Sequence, residues 1–456
     1  MALLGALMRR AKIVVIGAGS AAFGPSVIAG IASNPELANI ELFLHDVDSK
    51  ALDRMAAFAD LVIQGGGVPI TVAHSTELSR ALDGADCVVL AVAAHRERTW
   101  ARDRALALEH GIVHYAENGG PGAIFHTARN LELILPIARE MERCCPESWL
   151  LNYTNPVARI CTALKRYTKI RTIGICHQLS FAYYMVGVLL GDELGIEPPV
   201  TARFRWNDQS IAESHRIAAE TQAKVSIRAA GINHFTWALS ITGREDGRDL
   251  YPLLNERIKL FDPGFEPLTR RVHRLFGMFP VPGDSHLVES LPYTHNVARA
   301  SWDRYDIQMY DFDWAKRGRL ASISALDAMV AEGGPIKPGA FESERAELVL
   351  AALINRTLYL DEALNLPNAG AITNLPHDAI VETPAAILAD GPHGVSCGAL
   401  PESIAELCRR QCRIAELCVR GIVEQRREWL IEALALDPMI DDPDLPEALL
   451  HSFERK

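Results

Sequence analysis

Cysteine and histidine side by side are an unusual way to end a strand. The stretch GICHQLS places Cys176 and His177 directly after the apolar run TIGI, where a turn of Gly, Asn or Ser would be ordinary. A second histidine, His234, follows Asn233 at the end of the strand-like run in AAGINHFTW, and GDSHLVESLP adds Asp284, His286 and Glu289. Thiolate with imidazole suits Zn, Mn, Fe, Co or Ni at a catalytic site, with positions left open for water and substrate oxygens. Spacing alone leaves a plainer alternative standing: a buried cysteine acting as a small hydrophobe and a core histidine with its hydrogen bonds satisfied.

Short β-type runs carry these residues. KIVVIG (12–17), NIELFLHD (39–46), ITVA (70–73), DCVVLAV (86–92), SWLLNY (148–153) and RTIGIC (171–176) are nearly continuous in apolar character. Strands buried on both faces of a parallel sheet read that way. Between them, stretches such as ALDRMAAFADLVIQ and TARNLELILPIAREMER repeat apolar residues at helical spacing. The pattern predicts an α/β protein with a Rossmann-type, doubly wound parallel sheet. Beyond about residue 200 the chain mixes strand-like AKVSIRAAGINHF and WALSI with Pro- and Gly-rich loops around 262–296, then long helical segments near 314–331, 341–364 and 401–436. We therefore expect a nucleotide-binding domain over 1–200 and an α+β lobe over 201–456 for substrate, metal and oligomer contacts.

The first strand opens a dinucleotide fingerprint. KIVVIGAGSAAF holds Gly17-x-Gly19-x-x-Ala22 between a strand and a helix. The first glycine allows the tight turn, the second lets backbone approach a pyrophosphate, and a small third residue lets helix and strand pack. Free N–H groups and the dipole at the helix start favour the anion; Ser20 and Phe23 belong to the same turn. Asp46 ends the next strand, where a carboxylate would accept from a ribose diol and repel a 2′-phosphate, favouring NAD over NADP. Ligands of open parallel sheets bind outside the carboxyl ends of the strands. Those ends deliver Gly17, Asp46, Ala93, Ala94, Asn152 and Asn155 of NYTNP, and finally Cys176 and His177, which puts the pair beside an expected nicotinamide.

Whole-chain properties narrow the function classes. The 456 residues are 49% hydrophobic and 23% charged with a net charge of −11, and no lysine-rich tract interrupts the acidity. Nucleic-acid binding, which rests on basic patches, is not expected. The amino terminus lacks the order of a signal peptide and no run reaches membrane-spanning length, so a cytoplasmic enzyme is expected. The nine cysteines are scattered and odd in number, which argues against a disulfide framework, and Cys408 and Cys412 have the spacing of one helix face.

GAGSAAF, NYTNPV, GICH, GINHFTW, GDSHLVESLP and NLPHDAIVETPA follow one another in an order that resembles glycoside hydrolase family 4, from about residue 12 to 440. These are NAD- and metal-dependent glycosidases whose fold is similar to that of lactate and malate dehydrogenases. The resemblance implies that Cys176 and His234 are the metal ligands, with Mn the leading metal. It also implies an exception to two-carboxylate glycoside hydrolysis. Hydride passes from sugar C3 to NAD, the C2 proton becomes acidic, and the metal stabilises the enediolate. A base removes that proton, the aglycone leaves by elimination, water adds, and the hydride returns. Asn155 matches a residue that holds sugar hydroxyls, with Asn233 and His286 as further substrate contacts. Asp284 matches a proposed C2 base, and Glu117 in YAENGGPG a general acid near the leaving group. His177 is a second acid candidate, and a solvated loop carboxylate is the alternative for Glu117. The resemblance also implies a homodimer or homotetramer.

The residue after the metal cysteine sorts the resemblance further. Members acting on 6-phosphosugars resemble CDMP or CNVP there, whereas this chain has CHQL, which points to an unphosphorylated α-linked hexose or hexuronic acid. NYTNPV, GINHFTW and NLPxxAIVET most resemble the α-galacturonidase branch, alongside α-galactosidases and α-glucosidases. Ser285 replaces the arginine of GDRH that would clamp a C6 carboxylate, so a neutral hexose stays open. Alternatives are a 6-phospho-glycosidase, a simple NAD-dependent dehydrogenase, and an NAD-binding regulator without a metal.

Overall fold

In the computed structural model, which describes residues 10–454 apart from 94, 95, 202 and 300, the six apolar runs are six parallel strands. They are β1 (Lys12–Ile16), β2 (Glu41–His45), β3 (Thr71–Ser75), β4 (Cys87–Leu90), β5 (Trp149–Asn152) and β6 (Arg171–Ile175). Their order, β3-β2-β1-β4-β5-β6, reverses direction between β1 and β4, which is the switch point where such sheets hold dinucleotides. The continuous apolar character has a direct cause. Ile13, Val15 and Val89 enter one core cluster, and Val14, Ile16, Val88 and Leu90 enter another on the opposite face. Ala94 lies outside the described residues.

The sheet continues past residue 200. β7 (Val225–Ile232) and β8 (Phe235–Gly243) form a hairpin, and β9 (Tyr359–Pro367), β10 (Ile380–Leu388) and β11 (Gly391–Gly394) complete eleven strands. β9 runs antiparallel to β6, pairing Asn365 with Gly174 and Leu364 with Ile175. β10 then lies between β9 and β7, pairing Glu382 with Gly231. Late segments are thereby carried to the end of the strand that bears Cys176.

Two helical expectations are corrected. Within 341–364 only Ala346–Asn355 is helical, and the following residues are β9. DEALNL has good helix formers, but pairing on both edges, with β6 and β10, overrides that propensity. The segment 401–436 is two helices, Glu402–Val423 and Arg427–Leu436, with Gln425 in the left-handed region at the break. Cys408 is fully buried on the first of these, and all nine cysteines are free thiols. Among the described residues no helix is long and apolar enough to cross a membrane.

Candidate active site

The glycine turn is built for a close backbone approach. Gly17 takes φ +84, and a Cβ there would run into the Ala91 carbonyl at the end of β4. The backbone N–H of Gly19 donates to Asp46 Oδ2 at 2.9 Å, and that of Asp48 donates to Oδ1 at 3.0 Å. Asp46 thus stands against the turn while remaining half-exposed at the end of β2. Ser20 Oγ accepts from the Phe23 N–H at 3.3 Å, and the Phe23 ring packs 4.7 Å from that of Tyr153. Ala22 and Ala93 are exposed on the open side. The helix Gly24–Ser33 starts immediately after the turn, so glycine backbone, helix start and ribose-height carboxylate fit a dinucleotide.

Cys176 and His234, far apart in sequence, meet with Sγ 3.4 Å from Nε2. β6 delivers the cysteine. The histidine comes from the two-residue turn that joins β7 to β8, pairing Ile232 with Phe235, and it holds φ +62. A non-glycine residue in the left-handed region carries a steric cost, which directs attention to function. Burial raises the Cys176 thiol pKa and lowers that of His234; a cation between them would oppose the first shift and match the second, since it binds thiolate and neutral imidazole. Three carboxylates act electrostatically on His234: Glu117, Glu289 and Glu382.

Each carboxylate is fixed differently. Glu289 is 1% exposed, and its Oε1 accepts from the backbone N–H groups of Glu117, Asn118 and Gly119 at 3.2, 2.9 and 3.3 Å. Glu117 Oε1 accepts from Asn155 Nδ2 at 3.2 Å. Glu382 Oε2 accepts from Asn233 Nδ2 at 2.6 Å and Asn365 Nδ2 at 2.9 Å, and burial raises its pKa. Asn118 places its amide nitrogen 2.9 Å from His234 Nδ1. The His286 ring lies 4.2 Å from that of His234, and its Nδ1 is 3.7 Å from Glu289 Oε2. His234, His286 and Glu289 offer ligand atoms within 4.8 Å of one another. Asn155 Oδ1, Asn233 Oδ1, His286 Nδ1 and Glu289 Oε2 are buried with no hydrogen-bond partner. Orphaned acceptors and a thiol–imidazole pair at one place fit a cation with a polyhydroxylated ligand.

Cys176, His234, Glu117, Asn155, Asn233 and His286 are thus brought together. Asp284 has other engagements. Its Oδ2 and Oδ1 accept from Leu268 N–H at 2.9 Å and Thr269 N–H at 2.6 Å, at the start of the helix Pro267–Phe276. Its own N–H donates to Glu266 Oε2 at 2.5 Å. Burial pushes its pKa up to about 6. The His177 side chain is 75% exposed, with Nδ1 3.0 Å from Glu344 Oε2. That bond raises its pKa to about 9, a shift that solvent screens.

Sequence reading passed over Arg345, Glu344, Asn365, Asn118 and the seating of Glu289. Arg345 Nη2 donates to the Cys176 carbonyl at 2.8 Å, holding the strand end from behind. It belongs to a loop with no recognisable spacing to the other site residues. Asn118 carried a weak signal, as the neighbour of Glu117 in a glycine-rich turn.

A parallel dinucleotide-type sheet with a thiol–imidazole pair at its carboxyl edge defines a class of cofactor-dependent enzyme. Residues 12–186 match the family 4 glycosyl hydrolases and residues 229–440 match that family's C-terminal domain; the chain belongs to family 4 of the glycosyl hydrolases. It is 26% identical over 470 residues to an α-glucosidase of Erwinia rhapontici, covering 93% of each chain. It is 26% identical over 448 residues to an α-galacturonidase of Bacillus subtilis, covering 94% of this chain and 93% of the relative. Among solved structures, lplD of Bacillus subtilis superimposes with a TM-score of 0.82 at 23% identity, covering 97% of this chain and 99% of that one. A 6-phospho-α-glucosidase from gut microorganisms, in complex with NAD and Mn²⁺, gives 0.76 at 20% identity and 98% coverage of both. At these identities the structural likeness speaks for the fold.

Proposed function

We propose that this glycosidase cleaves the α-glycosidic bond of an unphosphorylated hexose or hexuronic acid, using NAD and a divalent cation, Mn²⁺ foremost. The observation that carries the reading is the 3.4 Å approach of Cys176 Sγ to His234 Nε2 at the strand ends that follow the glycine turn. When bound, NAD would supply a reversible hydride acceptor for the sugar, and the cation would supply positive charge that stabilises developing negative charge on sugar oxygens.

The chain's own groups then divide the work. Gly17, Gly19, Ser20, Ala22, Phe23, Asp46 and Ala93 hold the dinucleotide, and Cys176 and His234 hold the cation. The orphaned Oδ1 atoms of Asn155 and Asn233 accept from sugar hydroxyls. For proton removal at C2, His286 has its ring 4.2 Å from that of His234, whereas the Asp284 carboxylate caps a helix. Its Nδ1 faces Glu289, which steadies the charge that the ring takes up. For proton delivery to the leaving group, His177 is paired with Glu344, Nδ1 to Oε2 at 3.0 Å, a contact that favours its charged form. Glu117, whose Oε1 accepts from Asn155 Nδ2, is the second group at that position.

Aryl α-glucosides, α-galactosides and α-galacturonides, incubated with NAD, Mn²⁺ and a thiol, test the reading. Release without lasting NADH, deuterium at C2 of sugar released in D₂O, and slowing by deuterium at C2 or C3 are expected. Sugar without C2 deuterium and rates without a C2 or C3 isotope effect refute it, since a two-carboxylate glycosidase never touches that bond. Steady NADH accumulation would make the protein a dehydrogenase.

A further inference from the structure

We infer that Asn118 is a positioning residue that decides which ring nitrogen of His234 is offered to the cation. The inference rests on the metal reading above. His234 has two nitrogens in defined places: Nε2 faces Cys176 Sγ at 3.4 Å, and Nδ1 faces the amide nitrogen of Asn118 at 2.9 Å, an end that a half-turn of the same planar group exchanges for its oxygen. A neutral imidazole carries one proton, and the partner of one nitrogen fixes where it sits. An amide can meet Nδ1 with either end. With its NH₂ donating, the ring proton is on Nε2 and points at the thiol. With its oxygen accepting, the proton is on Nδ1 and the Nε2 lone pair faces Sγ, ready for a cation.

Asn118 can make this choice because its backbone does not wander. Its N–H is the central of three that Glu289 Oε1 accepts, at 2.9 Å, flanked by those of Glu117 and Gly119. Glu289 is buried and comes from the segment that also carries His286, so one carboxylate ties the 117–119 turn to the cluster. Glu117 rides on the same turn and takes the Asn155 amide. Outer partners of metal-binding histidines raise ligand basicity and fix the ring, and losing one costs roughly 10–100-fold in metal affinity.

The test is Mn²⁺ affinity of metal-stripped, NAD-loaded enzyme, read by electron paramagnetic resonance of free Mn²⁺. Asn118→Leu, which cannot accept from Nδ1–H, is expected to bind roughly 10–100-fold more weakly. Asn118→Asp, which only accepts, is expected to bind as tightly as wild type or tighter. Unchanged NAD affinity in each variant shows that the fold is kept; should the leucine variant fail to fold, Asn118→Ala, which also cannot accept from Nδ1–H, takes its place with the same expected loss. Wild-type affinity in Asn118→Leu, or an equal loss in Asn118→Asp, overturns the inference while leaving the metal site in place. Wild-type enzyme that takes up no Mn²⁺, or takes it up equally well after Cys176→Ser, overturns the metal reading itself.

Discussion

Arg345 is the place where stability and the site can be separated by one substitution. Its guanidinium reaches the Cys176 carbonyl at 2.8 Å, the Ala363 carbonyl at 3.3 Å and Asp361 Oδ1 at 2.6 Å. Asp361 is 3% exposed, so Arg345→Met leaves its carboxylate with only the Ala363 N–H at 2.8 Å and the Tyr359 hydroxyl at 3.3 Å. Removing one partner of a buried pair costs roughly 3–5 kcal/mol, because the remaining charge is uncompensated. Unfolding entropy of about 2.1 cal/mol/K per residue over these 456 residues amounts to about 1 kcal/mol per degree. The melting temperature should therefore fall by roughly 3–5 °C. Arg345→Met with Asp361→Leu removes both charges and should recover most of that loss, since apolar replacement of a whole buried pair is often neutral. Thermal melts of wild type, single and double variants decide the matter. A single variant melting within about 1 °C of wild type, or a double variant no better than the single, refutes the assignment of a buried, mutually dependent pair.

Three further outcomes follow from the site. Cys176→Ser or His234→Ala should abolish glycoside turnover and leave NAD affinity nearly intact; full activity with unchanged metal content in either variant counts against the pair. Asp46→Ala should weaken NAD and relax discrimination against NADP, and parallel titrations giving an unchanged ratio speak against a ribose contact. Burial holds Asp284 at about 6 and Glu266 well above the ordinary carboxylate range, so the folded chain binds these protons more tightly than the unfolded one. The stability this confers is complete below the unfolded pKa of about 4 and is lost as pH rises through about 6. Glu266→Gln should accordingly gain melting temperature on wild type between pH 5 and pH 8; parallel pH profiles would show that the pair is not the source.

The sheet was legible because its central strands are buried on both faces: Val14 and Val15 of β1 enter opposite cores, as do Val88 and Val89 of β4. β9 was not, because Glu362, Ala363 and Leu364 are good helix formers and only the neighbouring strands make them extended. Cys176 and His234 could be read through motifs at predicted strand ends. Their supports could not, since Arg345, Asn365 and Glu382 reach the site by long-range pairing rather than local spacing. Asp284 was legible in part. Its motif suggested a base, and its backbone partners at Leu268 and Thr269 appear only in three dimensions.

The antiparallel seat of β9 against β6 also orders events during synthesis. The six parallel strands and the glycine turn are complete by residue 175, whereas the strand that covers the outer edge of β6 begins at Tyr359. A ribosome adding about 5–20 residues per second needs roughly ten to forty seconds to make the intervening chain. During that interval the nascent cofactor half presents β6 as an open, apolar edge, the kind of surface to which another chain can add a strand. Cys176 waits at the end of that same edge. Newly made chains are thus vulnerable to mispairing at the strand that ends in Cys176, and slowing synthesis between residues 175 and 359 should lengthen the exposure.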